Sequence, residues 1–162
     1  MSEESAHELF LEAMTHLASG VAVLTARNPD GRPCGLAATS LSSFSAHPPS
    51  LLVSVAHVSR CHAALAGCAR FGVHLLRSDE LAVARTFASK ADDKFAELAW
   101  GWDGEVPELE GGLAYLRCRR AENFERYDHT VLIGDIEHGR VNAGEPLLYA
   151  RRRMDWLLQP YE

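Results

Sequence analysis

The chain is 162 residues long, 47% hydrophobic and 23% charged, with a formal net charge of −6. A length near 150 residues suits one domain that buries roughly 70% of its unfolded surface, and the apolar fraction excludes a disordered chain. Twelve glycines and seven prolines exclude a collagen-like composition. Apolar runs such as 20–26 and 51–56 fall far short of the ~20 residues of a membrane span, and net acidity argues against nonspecific nucleic-acid binding.

Ser5-Ala-His-Glu8 reads as a capping box, and Phe10, Leu11, Met14, Leu17 and Ala18 follow at helical spacing, which predicts an amphipathic helix over 6–18 stopped by Gly20. Val21–Ala26 and Arg32–Ala38 are strand-like and flank the turn Asn28-Pro-Asp-Gly31, so a hairpin is expected. Thr39–Pro49 reads as a hydroxyl-rich loop and Leu51–His57 as a buried, central strand. Ser59 is expected to cap a short helix through Ala66, closed by Gly67. A strand over Phe71–Leu76 follows, then a helix over Asp79–Ala88 capped by Ser78, with Leu81, Val83, Ala84 and Phe87 inward. Ala91–Trp100 suggests a further helical turn or two, and Gly101–Gly112 a loop. Two long strands, Leu113–Phe124 and His129–Asn142, precede a last one over Pro146–Trp156. Strands dominate without βαβ alternation, so an antiparallel barrel with helical insertions is the expected architecture.

No basic n-region with an apolar h-region opens the chain, which points to the cytoplasm. Cys34, Cys61, Cys68 and Cys118 show no C-x-x-C spacing, so free thiols in a reducing compartment are expected rather than a metal site. Only Lys90 and Lys94 are lysines among 16 basic residues; a GC-rich genome accounts for such a bias.

Two polar connections could carry chemistry. Thr39–Ser45 offers five hydroxyls in seven residues, enough to surround a polar ring or an anion, although a solvated serine loop has the same composition. Ser59-Arg60 opens a helix directly after a buried strand, a setting that suits a phosphate or a plain serine cap. In Tyr127-Asp128-His129, the histidine is either a satisfied core residue or a pocket group titrating near neutrality. Arg151–Arg153 reads equally as a phosphate patch or a solvated edge. There is no nucleophile elbow, P-loop or G-x-G-x-x-G turn, so a Rossmann nicotinamide site is absent.

The ordered stretches FLEAMTHLASGVAVLTA, DGRPCGLAATSLSSFSAHPPSLLVSV, FGVHLL, LAVARTFAS, DKF, YDHTVLIGDI and PLLYARR resemble the short-chain flavin reductase family, the reductase components of two-component flavin-dependent monooxygenases. The resemblance runs from Phe10 to Trp156. It implies a mainly β fold, the FMN-binding split barrel: a six-stranded antiparallel Greek-key barrel with peripheral helices, in a homodimer. It implies reduction of FMN or FAD by NADH or NADPH, with transfer of reduced flavin to a monooxygenase.

Carried over by position, Thr39, Ser40, Ser43 and Ser45 would line the isoalloxazine and ribityl chain, and His57, Val58, Ser59 and Cys61 would approach the ribityl phosphate. Ser89, Lys90 and Phe95 match the segment that closes over the flavin, and His129 is the catalytic candidate, facing the nicotinamide. The chain departs from the family pattern at His47, where aspartate is common, at Cys61, where a small hydroxyl residue is usual, and at Met154-Asp-Trp. An alternative on the same barrel is a non-catalytic, flavoredoxin-like electron carrier. A pyridoxamine-phosphate-oxidase-like enzyme would want a basic phosphate cluster where this chain offers hydroxyls.

Overall fold

The computed structural model describes residues 2–161. Helix α1 spans Glu3–Thr15 and starts earlier than the capping box predicts. Its cap is Ser2, whose hydroxyl oxygen accepts from the Ser5 amide at 3.2 Å, and Glu3 and Glu4 put negative charge in the first turn. No residue of α1 is buried.

The hairpin forms as expected, after the short β1 (Ser19–Gly20), from β2 (Ala22–Arg27) and β3 (Pro33–Ala38). The hydroxyl-rich stretch departs from expectation. Its middle is strand β4 (Ser42–Ala46), paired antiparallel with β5 (Pro49–Ala56), so only residues 39–41 link β3 to β4. Next come α2 (His62–Gly67), β6 (Arg70–Leu75) and α3 (Leu81–Ala88). Neither serine caps a helix here: the caps are Cys61 and Glu80, and the Ser59 hydroxyl instead accepts from the Cys61 amide at 3.3 Å.

The segment 91–99 is irregular, because the Asp93 carboxylate accepts from the Phe95 amide at 2.9 Å and turns the backbone away from helix. The expected loop at 101–112 instead contains a hairpin, β7 (Trp100–Asp103) with β8 (Val106–Leu109), whose Asp103-Gly104 signal was present in the sequence. Gly104 occupies φ +64°. The long β9 (Ala114–Arg126) and β10 (His129–Val141) follow. The last expected strand divides into β11 (Leu148–Ala150) and β12 (Arg153–Trp156), where Arg151 and Arg152 take positive φ.

The main sheet is antiparallel with order β3-β2-β6-β9-β10-β5-β4, seven strands rather than the six the resemblance implies. Flat, seven strands would set its edges roughly 29 Å apart. The three residues between β3 and β4 reach only about 14 Å, so the sheet must roll up and leave a split between its two edges. Inside the roll lie Leu24, Val53, Val55, Phe71, Val73 and Leu132, with Ala64 and Leu65 of α2. A second cluster, Val21, Val23, Ala84, Phe87, Phe95 and Leu147, fills the space beneath α3. Strand β2 is therefore buried on both faces, which accounts for its apolar run over 22–26, broken by Thr25, whose buried hydroxyl donates to the Pro107 carbonyl at 2.6 Å. At the hairpin, Asp103 accepts from the Tyr115 hydroxyl at 2.9 Å, from Arg117 at 2.8 Å and from His138 at 2.8 Å, which pins β7 to β9 and β10.

Candidate functional site

At the split, the walls of the barrel enclose a cavity of about 710 Å³, within the range typical of small-molecule sites. Its walls come from the end of β3 and the 39–40 link, from β5, from the 58–61 turn, from the end of α3 with Ser89 and Lys90, and from the start of β10. Ala37, Ala38, Ala56 and Ala88 line it; side chains this small let a flat ring approach the backbone closely. The charged side chains in its walls are Arg60, Lys90 and Lys94, in a chain whose net charge is −6. A cleft of one sign, walled by low-dielectric protein, draws anions against the charge of the whole molecule.

The sequence candidates divide. Thr39, Ser40, Val58, Ser59, Cys61, Ser89, Lys90 and His129 come together around this cavity. Ser43, Ser45, His57 and Phe95 do not line it. Ser43 and Ser45 belong to β4, where Ser45 accepts from the His47 amide at 3.2 Å. The His57 ring turns to the buried Thr130, its Nε2 3.1 Å from the hydroxyl oxygen, while His62 approaches the same oxygen at 2.8 Å. Thr130 and His129 are consecutive on one strand and so face opposite sides; contact with Thr130 takes His57 away from the cavity. Phe95 is buried edge-to-face between Phe87 and Trp100.

Several hydroxyls here build the walls. Ser40 donates to the Ser54 carbonyl at 2.8 Å and accepts from the Ser54 amide at 3.2 Å, tying the 39–41 link to β5. Ser89 donates to the Thr86 carbonyl at 2.7 Å and accepts from the Ala91 amide at 3.2 Å, turning the chain out of α3. His129 is positioned by Asp128: Nδ1 lies 2.8 Å from the carboxylate, which holds Asp128 below the usual carboxylate range. With Nδ1–H donating to Asp128, neutral His129 offers Nε2 as an acceptor.

Arg60, from the Ser59-Arg60 connection, and Lys94, for which the sequence suggested no role, organise the site. Arg60 reaches across the cavity mouth to donate to the Lys90 and Ala91 carbonyls at 2.6 and 2.8 Å, and pairs with Asp92 at 3.0 Å. Lys94 donates to the Phe87 carbonyl at 2.8 Å and lies 3.4 Å from that of Gly35; burial lowers its affinity for a proton. Lys94 belongs to the DKF stretch that carried part of the resemblance. A second cavity of about 490 Å³ adjoins the first and shares Arg60, Cys61 and Lys94 with it.

Fold and site together define a split-barrel protein with a cationic cleft of nucleotide size. The chain belongs to the flavin reductase like domain family, whose model matches residues 14–158. It is 40% identical over 148 residues to an NADH:riboflavin 5′-phosphate oxidoreductase of Streptomyces pristinaespiralis, covering 88% of this chain and 84% of that one. It is 33% identical over 144 residues to the reductase component of a 4-nitrophenol 4-monooxygenase/4-nitrocatechol 2-monooxygenase of Rhodococcus opacus, covering 89% and 77%. Among solved structures it is similar to the NADH:FAD oxidoreductase of Streptomyces globisporus C-1027 in complex with NAD and FAD fragments. There the TM-score is 0.89 and the identity 25%, over 100% of this chain and 99% of that one.

Proposed function

We propose that this chain is a single-domain, NADH-dependent flavin reductase that reduces FMN or FAD and supplies the reduced flavin to a partner monooxygenase. The observation that carries this reading is the alanine-walled cavity whose charged residues are all basic, in a member of the flavin reductase like domain family. The flavin ring, when bound, supplies the hydride acceptor. The chain positions and shields. Ala37, Ala38 and Ala56 form a flat apolar floor, Thr39 offers a hydroxyl at its edge, and Ser59, Arg60 and Lys90 present a phosphate-binding rim. His129 projects from the start of β10 toward the remaining opening, where Nε2 can accept from a nicotinamide carboxamide.

The test is NADH oxidation with FMN, FAD and riboflavin supplied in turn. The reductase reading expects multiple turnovers with added flavin. A protein that retains flavin through dialysis yet leaves NADH intact is the electron carrier instead. Because His129 orients and no proton must leave it, His129→Ala should raise the NADH KM or lower kcat about tenfold, the worth of one hydrogen bond of about 1.4 kcal/mol. Unchanged kinetics would remove His129 from the site.

The working unit is proposed to be a homodimer. Helix α1 buries no residue against its own chain, and Leu9, Phe10, Met14 and Leu17 stand between 43% and 60% exposed. Isolated helices of this length are marginal in water, so a second copy is the natural cover. A cytoplasmic setting is supported by the four free thiols.

A further inference from the structure

The four free cysteines occupy unlike surroundings. Burial pushes the Cys68 thiol up to about 11 and the Cys118 thiol to about 12. Cys61 differs. It stands between Arg60 and α2, in the wall shared by both cavities, while Cys34 of β3 lines the second cavity. The neighbouring Cys34 thiol, and with it the Lys94 ammonium, the Gly35 amide and the Arg60 guanidinium, outweigh burial and bring Cys61 down to about 7, while Cys34 itself is pushed up. The Phe87 carbonyl holds the Lys94 ammonium in place at 2.8 Å. Cys61 is only 6% exposed, yet it borders both cavities beside two cationic side chains, the setting that makes a thiol reactive, whereas Cys68, although less buried, and Cys118 border neither.

We propose that Cys61 is a peroxide-reactive modification site in the wall of the flavin cavity, with Cys34 as its resolving thiol. The inference rests on the flavin reading for the source of the oxidant alone: reduced flavin that meets dioxygen before its partner yields oxidised flavin and hydrogen peroxide. The Cys61 thiolate attacks one peroxide oxygen, the O–O bond breaks, and the departing hydroxide takes up a proton as water, leaving a sulfenic acid. The Cys34 thiol then attacks that sulfur. The S–S bond forms, the S–O bond breaks, and the hydroxyl leaves with the thiol proton as a second water. Two thiols are oxidised to one disulfide while one peroxide is reduced to two waters. The cross-link would tie β3 to the entry of α2, across the wall that holds the phosphate rim, so reductant lost to oxygen would restrain its own production.

Flavin-free protein exposed to hydrogen peroxide at neutral pH, alkylated and analysed by peptide mass spectrometry tests the thiol chemistry apart from the flavin reading. The larger thiolate fraction of Cys61, damped by its lower intrinsic nucleophilicity, predicts oxidation about a hundredfold faster than at Cys68 or Cys118. The expected product is a linked peptide pair containing Cys34 and Cys61, reversed by dithiothreitol. In Cys34→Ser the reaction should stop at a dimedone-trapped sulfenic acid on Cys61. Cys61 reacting no faster than Cys68 and Cys118, or its sulfenic acid persisting in the unaltered protein beside a free Cys34, would overturn the proposal. A second arm runs NADH and FMN in air with and without catalase. Protection by catalase supports the peroxide source, and linkage unaffected by catalase refutes it. If NADH is not consumed, the flavin reading fails while the first arm still decides the thiol site.

Discussion

Arg60 holds two positions at once. Its guanidinium borders the cavity while it bridges to the Lys90 and Ala91 carbonyls, so it can act on a phosphate directly or through the segment it anchors. Charge-assisted hydrogen bonds contribute about 1.5–3 kcal/mol. Arg60→Ala should therefore raise the KM for FMN roughly ten- to a hundredfold while the KM for riboflavin, which carries no phosphate, changes much less. Equal losses for both would assign Arg60 to anchoring alone. A second residue-scale case is His74, which is 2% exposed and stacked on Tyr115. Its Nδ1–H donates to the Val23 carbonyl at 3.3 Å and its Nε2 accepts from the Leu109 amide at 3.0 Å, an arrangement that only the neutral ring satisfies. Burial lowers its pKa from 6.5 to about 4. The unfolded chain then binds the extra proton between those values, so the stability due to neutral His74 is intact above pH 6.5 and is lost as pH falls toward 4. That loss amounts to about 3 kcal/mol. Urea titrations at several pH values should show this slope, and His74→Gln, which does not titrate, should flatten it.

Among elements, the approach of α3 to β3 shapes the cavity wall. A Cβ on Gly35 would lie 2.6 Å from Phe87 Cε1 and 3.1 Å from the Leu24 carbonyl oxygen. Gly35 is required by this close approach and not by its φ. Gly35→Ala should cost about 1–3 kcal/mol by overpacking, read as a lowered thermal midpoint together with weaker flavin binding, because Phe87 lines the cavity. Adding Phe87→Leu should recover part of the loss through coupling of the two contacts; strictly additive losses would mean that Phe87 does not meet the new methyl group. The same elements show what local sequence could and could not convey. The β2–β3 hairpin carried its own turn chemistry and its site was legible to within a residue. Strand β4 was not: serines favour loops locally, and only pairing with β5 makes 42–46 a strand. His57 was misplaced for a related reason, since Thr130 lies 73 positions away in the chain.

For the molecule as a whole, the uncovered α1 predicts dimerisation through its apolar face. Phe10→Glu combined with Met14→Glu should halve the sedimenting mass and lower the helical circular-dichroism signal, since the helix buries nothing in its own chain. A unit that already sediments as a monomer without these changes would refute the dimer. Such a dimer would also decide how much of the cavity mouth stays open.

Ordered motifs were enough to establish the family and the antiparallel β character, and eight of the twelve residues they singled out lie around one cavity, because hydroxyls, turns and alternating strands leave local signatures. The cationic sign of the cleft was hidden in a chain of net charge −6, since charge composition sums over the surface and a cleft selects from it. Arg60, Lys94 and the Cys34–Cys61 neighbourhood come together only when the seven-stranded sheet rolls and brings 34–35, 60–61 and 91–94 to one wall. Contacts across such separations depend on strand order and closure, which no local pattern in the chain encodes.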